Sequence, residues 1–263
     1  MKSLVRILGR LPRGRTLALA LALPLASGCA TVQSPDPRDP YESFNRAVFS
    51  FNDGLDKVVL KPVATAYHDV LPGPLRVMVR NFFSNISDVF IGVNNMLQGK
   101  PGEGLNDWAR VLFNTTFGLA GINDVASEMG LEKHNEDFGQ TFAVWGAGSG
   151  PYLVLPLFGP SDVRDGIGLG FDLYASPLLG YHNVPVRNSL AVLRTVSERS
   201  ELLEASTIVE QAALDEYSFR RDFYLQRRRS LIYDGSPPRE RLQDEDSSLV
   251  PAPDGDTNHV ARN

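Results

Sequence analysis

An all-α single domain of six to seven helices is the fold this sequence predicts, and three observations predict it. Apolar residues recur at three- and four-residue spacing over several long stretches. Proline and glycine clusters cut those stretches into helix-length pieces. Strand-like alternation is weak throughout and no internal repeat stands out, which leaves helix-on-helix packing as the architecture.

Residues 1–28 are set aside as a secretory signal. Lys2, Arg6, Arg10, Arg13 and Arg15 precede an apolar run from Thr16 to Ala26, and Ser27-Gly28 leads into Cys29. A sole cysteine after two small residues looks like a bacterial lipobox, so Cys29 is expected to be acylated, with ordinary cleavage nearby as the alternative. At ~0.8 kcal/mol per buried methylene, several acyl chains on one residue would make the attachment effectively permanent. Ala30, in place of aspartate, fits sorting to an outer membrane. No thiol then remains for a disulfide, so stability is expected to come from a hydrophobic core. Residues 29–38 read as a tether, 39–235 as the helical domain, and 236–263 as a disordered tail with too few apolar residues to bury.

Within the domain, Asp39-Pro40 reads as a helix cap with proline in the first turn. Tyr41, Phe44, Val48, Phe51, Leu55 and Val58 then form one stripe, and Asn45 and Asn52 beside it suggest a face that also meets something polar. Pro62 is expected to end that helix, and Leu71-Pro72-Gly73-Pro74 to turn the chain. A long helix over 74–97 follows, with Leu75, Met78, Phe82, Ile86, Val89, Val93 and Leu97 on one side and Phe83, Phe90 and Ile91 flanking them. A helix wet on so narrow a strip is buried in a bundle or lies against a membrane.

Leu105, Trp108, Leu112 and Thr116 mark a third helix, closed by Gly118 and Gly121, and shorter helical signals lie at 124–129 and 136–145. Ser161 is expected to cap the next helix, with Asp162 and Asp165 in its first turn. Gly166, Gly168 and Gly170 inside that helix each cost about 1 kcal/mol against alanine, so close packing must offset them. Pro185 opens a helix to about Glu204, and a last one is expected from Ser206 to Leu231, ending in a solvated cluster of Arg227, Arg228 and Arg229.

The stretch over 145–168, WGAGSGPYLVLPLFGPSDVRDGIG, stands apart from this pattern. Pro151, Pro156 and Pro160 rule out both a helix and an ordinary strand, yet Tyr152, Leu153, Val154, Leu155, Leu157 and Phe158 are too apolar for a bare loop. It is too short for a membrane span, and its glycines lack the spacing of a phosphate loop. Ser149 lacks the glycine two residues before it that a hydrolase elbow needs. A buried β-hairpin, or contact with an apolar ligand, remains.

This stretch resembles the signature of the MlaA (VacJ) lipoproteins. The resemblance runs through Asp137, Phe138, Gly139, Gln140 and Thr141, Trp145 and Gly146, Gly150 to Pro156, Gly159 to Ser161, and Arg164, Asp165 and Gly168. Asp215-Glu216-Tyr217, Arg221, Tyr224, Gln226 and Arg227 resemble a second pattern of the same family. The likeness implies a ring-like helical body around an amphipathic passage, anchored through Cys29 on the periplasmic side of the outer membrane. It implies handling of phospholipid, taken from the outer leaflet and delivered to a periplasmic lipid-binding carrier (MlaC-like) beside an outer-membrane porin trimer. On that footing Tyr152, Leu153, Val154, Leu155, Leu157 and Phe158 are candidates for the passage or its gate. Phe44, Phe51, Phe82 and Phe90 are candidates for facing the membrane.

Charge and composition bear on the alternatives. Losing the signal removes five of the 26 basic residues and no acidic ones, leaving 21 against 31, a net of −10. That argues against nucleic acid as a partner and against recruitment to anionic lipid by a basic patch. His68, His134, His182 and His259 stand singly and read as surface residues, with no metal-binding cluster. Glu136-Asp137 reads as an ordinary solvated pair rather than an acid and base, so neither an enzyme nor a cofactor is expected. The competing expectation is a structural envelope lipoprotein that scaffolds other membrane proteins and moves no lipid.

Overall fold

The computed structural model describes residues 36–178 and 180–238. The signal, Cys29, the tether before Asp36 and the tail beyond Pro238 lie outside the described residues. As expected, the body is helical. The first helix, α1, runs Glu42–Leu55 with Tyr41 at its cap, two residues later than Asp39-Pro40 suggested. Asp39 is fully buried instead, accepting from Asn45 Nδ2 at 2.7 Å and from the Tyr217 hydroxyl.

Pro62 does not end the helix. A wider π turn over Asp56–Leu60, in which Lys61 N–H bonds back five residues to the Asp56 carbonyl, feeds α2, Lys61–Val70. Pro62 then sits in the first turn of α2, where a missing N–H disturbs no renewed ladder.

The next two helices, α3 (Gly73–Leu97) and α4 (Pro101–Thr116), pack on each other and reverse the usual arrangement. Asn85, Asp88, Asn94 and Asn95 of α3 and Asp107, Arg110 and Asn114 of α4 are buried. Leu75 and Met78 of the predicted apolar stripe, and Leu105 and Leu112 of α4, are exposed, Leu112 at 62%. Arg110, 1% exposed, is shared between Asp124 (3.0 Å to both oxygens), Asp88 (3.4 Å) and the Leu131 carbonyl (2.7 Å). Asn95 donates to Asp107 at 2.7 Å, and His134 Nδ1 lies 2.8 Å from the other Asp107 oxygen, so His134 is a partner in this interior rather than a surface residue.

The hydrophobic core expected from composition is correspondingly small. It consists of Val48, Tyr152, Val154 and Tyr217, with Phe49, Tyr224 and Leu225 packed on it. Among the described residues 19 buried side chains are polar or charged and 10 are hydrophobic, so hydrogen-bonded side chains hold much of the interior. No described helix is long and apolar enough to cross a membrane.

The short α5, Val125–Glu128, is capped by Asp124, and α6, Phe138–Val144, by Asp137, which accepts from Gln140 N at 2.8 Å. Two strands follow. β1 (Tyr152–Leu155) and β2 (Gly159–Asp162) pair antiparallel with Tyr152 opposite Asp162 and Val154 opposite Pro160. The prolines therefore permit strands here, because Pro160 lies in a two-stranded sheet, where an edge position asks nothing of its nitrogen.

The cap of α7 (Val163–Ala175) is Asp162, accepting from Asp165 N at 2.7 Å, whereas Ser161 donates to the Asp162 carbonyl. Of its three glycines only Gly168 is crowded. A Cβ there would come within 2.4 Å of Gly139 N, while one at Gly170 meets nothing within 4 Å. Gly168→Ala should therefore destabilise the protein by about 1–3 kcal/mol through overpacking against α6, and Gly170→Ala should be neutral or stabilising by up to ~1 kcal/mol. Thermal melts of the two variants in detergent check this; equal losses would remove close packing as the reason for Gly168.

α8 runs Val184–Glu201, and the single final helix expected from Ser206 is two: α9 (Leu203–Ala212) and α10 (Glu216–Ile232). Asp215 makes the break. Its carboxylate caps α10 through Tyr217 N and Ser218 N while receiving Arg46 Nη2 at 2.6 Å. Followed from contact to contact, α1, the hairpin, α7, α6, α3, α8, α2 and the π turn close a circuit.

Candidate functional site

The hairpin is held by two asparagines seven residues apart on α1. Asn45 donates to the Tyr152 carbonyl at 3.0 Å and accepts from Val154 N at 2.8 Å. One turn of hairpin further on, Asn52 donates to the Leu155 carbonyl at 2.9 Å and accepts from Leu157 N at 2.8 Å. The side-chain amides thus take the place of a third strand and cover the free edge of β1. The polar partner that Asn45 and Asn52 suggested in the sequence is this backbone.

Burial sorts the apolar residues of the stretch. Tyr152 and Val154 point into the core at 2% and 1% exposure, and Leu153 and Leu155 are half-buried. Leu157 and Phe158 stand out at the tip, 68% and 58% exposed. Beside that tip a cavity of about 540 Å³ opens between α1, the π turn, the hairpin, α8 and α9. Leu55, Val59, Leu60, Leu157, Phe158 and Leu202 give it apolar walls. Its polar side is the Asp56–Arg199 pair, bidentate at 2.8 and 2.9 Å, with Asp53 and Arg220 nearby. Sequence reasoning missed Asp56 and Arg199, which lie 143 residues apart with no spacing to relate them. A second cavity of about 500 Å³, lined by α3, α8 and the 133–135 loop, shares Leu202 with the first.

Phe44 and Phe51 are exposed on α1. Phe82 and Phe90 are half-buried, and Phe82 packs edge-on against Phe83 with centroids 5.3 Å apart. Cys29 lies outside the described residues.

Four of the signature residues, Asp137, Arg164, Asp165 and Tyr224, meet in one ion network around Arg228. Arg228, expected to be solvated, is 11% exposed and forks onto Asp137 at 2.5 and 2.6 Å while reaching Asp165 at 2.5 and 2.9 Å. Tyr224 donates to Asp165 at 2.5 Å, and Arg164 meets the same carboxylate at 2.8 Å. Asp137 is therefore no free acid or base. Burial works to raise its carboxyl, but the Arg228 fork holds it below the usual range.

Asp172 behaves oppositely, because burial, and then the neighbouring Asp137 charge, push it up to about 6. Its folded value thus exceeds its unfolded value of ~3.9, so the folded state holds the extra proton between those two values. Stability from this group is full below about pH 4 and is lost as pH rises through about 6. Asp172→Asn should flatten part of that slope and exceed the parent by about 1–2 kcal/mol at pH 7.5, after discounting for solvent screening, with little difference near pH 4. Denaturation at the two pH values checks it; an equal gain at both would exclude the titration.

Buried polar networks between helices, many exposed apolar side chains and an amphipathic opening beside a hairpin tip define a helical protein fitted to bind apolar groups. The chain belongs to the MlaA lipoprotein family, whose sequence model matches residues 37–231. It is 34% identical over 219 residues to the intermembrane phospholipid transport system lipoprotein MlaA of Escherichia coli K12, covering 81% of this chain and 86% of that one. The same protein of Shigella flexneri is 34% identical over 220 residues, covering 81% and 86%. A chain solved in work on the structural basis for maintenance of bacterial outer membrane lipid asymmetry superposes with a TM-score of 0.65 at 33% identity, covering 75% of this chain and 99% of that one.

Proposed function

We propose that the protein is an outer-membrane lipoprotein that removes mislocalised phospholipids from the outer leaflet and passes them to a periplasmic lipid carrier. It thereby keeps the two leaflets different in lipid. The observation that carries this reading is the cavity beside the hairpin tip, which joins apolar walls to a charged pair. A phospholipid exposing about 30 methylenes to water at ~0.8 kcal/mol each faces a cost on the order of 25 kcal/mol, so transfer needs a shielded path that also admits a head group. In this reading Cys29 anchors the body on the periplasmic side, the exposed apolar residues of α1, α3 and α4 lie in the leaflet, and the circuit of elements surrounds the path. An MlaC-like carrier receives the lipid, a porin trimer sits alongside, and no covalent bond changes, so no catalytic group is needed.

The hairpin tip is the gate. Leu157→Asp tests it, since the side chain is 68% exposed and its φ of +70° suits aspartate better than leucine. The variant should fold and anchor normally yet raise outer-membrane permeability to the level of a deletion. Parental permeability would remove the gating role. Intact phospholipid extracted with the purified protein supports carriage; its absence favours a scaffold, and lyso-lipid products would favour an enzyme.

A further inference from the structure

We propose that the Asp56–Arg199 pair selects the head group, so that the opening takes zwitterionic phospholipids in preference to anionic ones. This rests on the lipid-carrying reading above and adds the substrate class. The charges at the opening come as two carboxylates, Asp53 and Asp56, and two guanidiniums, Arg199 and Arg220. They cancel, as a zwitterion requires and an anion does not. Lys57 already engages Asp53 at 2.8 Å and Glu216 engages Arg220 at 3.5 Å, which leaves the bidentate pair as the element that a ligand can enter. Asp56 is 25% and Arg199 11% exposed, shielded from bulk water yet open to the cavity.

The selectivity follows from an exchange of partners. A guanidinium that grips a carboxylate with two parallel N–H groups grips a phosphate in the same way, so a lipid phosphate can replace Asp56 on Arg199. Asp56 is then left half-buried without a cation, which is costly. A head group carrying an ammonium brings the replacement with it, and both charges end paired. An anionic head group brings none and leaves the carboxylate stranded. Leu55, Val59 and Leu202 of the same cavity take the first methylenes of the tails.

The test uses full-length lipoprotein in detergent, incubated with mixed micelles of equimolar phosphatidylethanolamine and phosphatidylglycerol. After repurification, the bound lipid is counted by head group. The parent protein should hold at least fivefold more of the zwitterionic lipid. Asp56→Asn should bring that ratio to about one, because no carboxylate is left to strand. Should the single variant fold poorly, the neutral pair Asp56→Asn with Arg199→Gln removes both charges together and should also give a ratio near one. A purely structural ion pair would alter the melting temperature and leave the ratio alone. A parent ratio of one, or a variant that keeps the parent's enrichment, overturns the proposal while leaving lipid carriage intact. No lipid recovered from the parent overturns carriage, and this selection with it.

Discussion

Arg228→Gln should destabilise the protein by about 3–5 kcal/mol, because it removes the cation that two carboxylates share. Asp137 and Asp165 both lie on this guanidinium, and nothing else among the described ion pairs reaches Asp137. The loss is that of a broken buried pair, much larger than a surface bridge of ~0–1 kcal/mol. At about 2–4 °C per kcal/mol for a chain of this size, the melting temperature should fall by roughly 10 °C. Adding Asp137→Asn should recover part of the loss, since asparagine can still cap α6 and Asp165 keeps Arg164, so that no carboxylate of the cluster is left without a cation. Thermal melts followed by circular dichroism in detergent would decide it; a fall under ~1 kcal/mol would mean that the cluster is solvated after all.

Asn45→Ala should be nearly as damaging, at about 2–4 kcal/mol, because it orphans buried groups on two sides at ~1–3 kcal/mol each. The Val154 amide and the Tyr152 carbonyl lose the partner that stands in for a strand, and Asp39 loses a donor. Asn52→Ala removes a similar pair of hydrogen bonds but at a half-buried site, where water can replace the amide, so its cost should stay under about 1 kcal/mol. Hydrogen exchange at Val154 N reads the difference directly. Equal protection in the two variants would show that the hairpin does not depend on α1.

The helical class and most breaks were legible in the sequence because proline and glycine act locally. The turn at Leu71-Pro72-Gly73-Pro74 and the end of α4 before Gly118 are where spacing put them. Pro62 was misleading for a reason of geometry, since a π turn ahead of it absorbs what an α-helix could not. The orientation of α3 stays open in the sequence, because a broad apolar sector suits a bundle interior and a membrane surface alike. The better signal was its polar stripe: Asn85, Asp88, Gly92 and Asn95 recur at helical spacing, as do Gly104, Asp107, Arg110 and Asn114 on α4. Of the candidate site, the hairpin residues were visible from composition, whereas Asp56 and Arg199 meet only through the tertiary circuit. Arg228 looked like a helix-end cation because its partners, Asp137 and Asp165, are 91 and 63 residues away.

The reversed packing of α3 on α4 bears on how stability varies with temperature. Unfolding raises the heat capacity by ~0.45 cal/mol/K per Å² of apolar surface newly wetted and lowers it by ~0.26 per Å² of polar surface. Here Leu75, Leu105 and Leu112 are already outside in the native state, while Asp88, Asp107 and Arg110 are what unfolding would newly hydrate. The two contributions oppose each other, so the curve of free energy against temperature should be unusually flat for a chain of this length. Such a protein tolerates cooling as well as it tolerates warming, and its resilience is set less by the thermometer than by whichever solvent surrounds it.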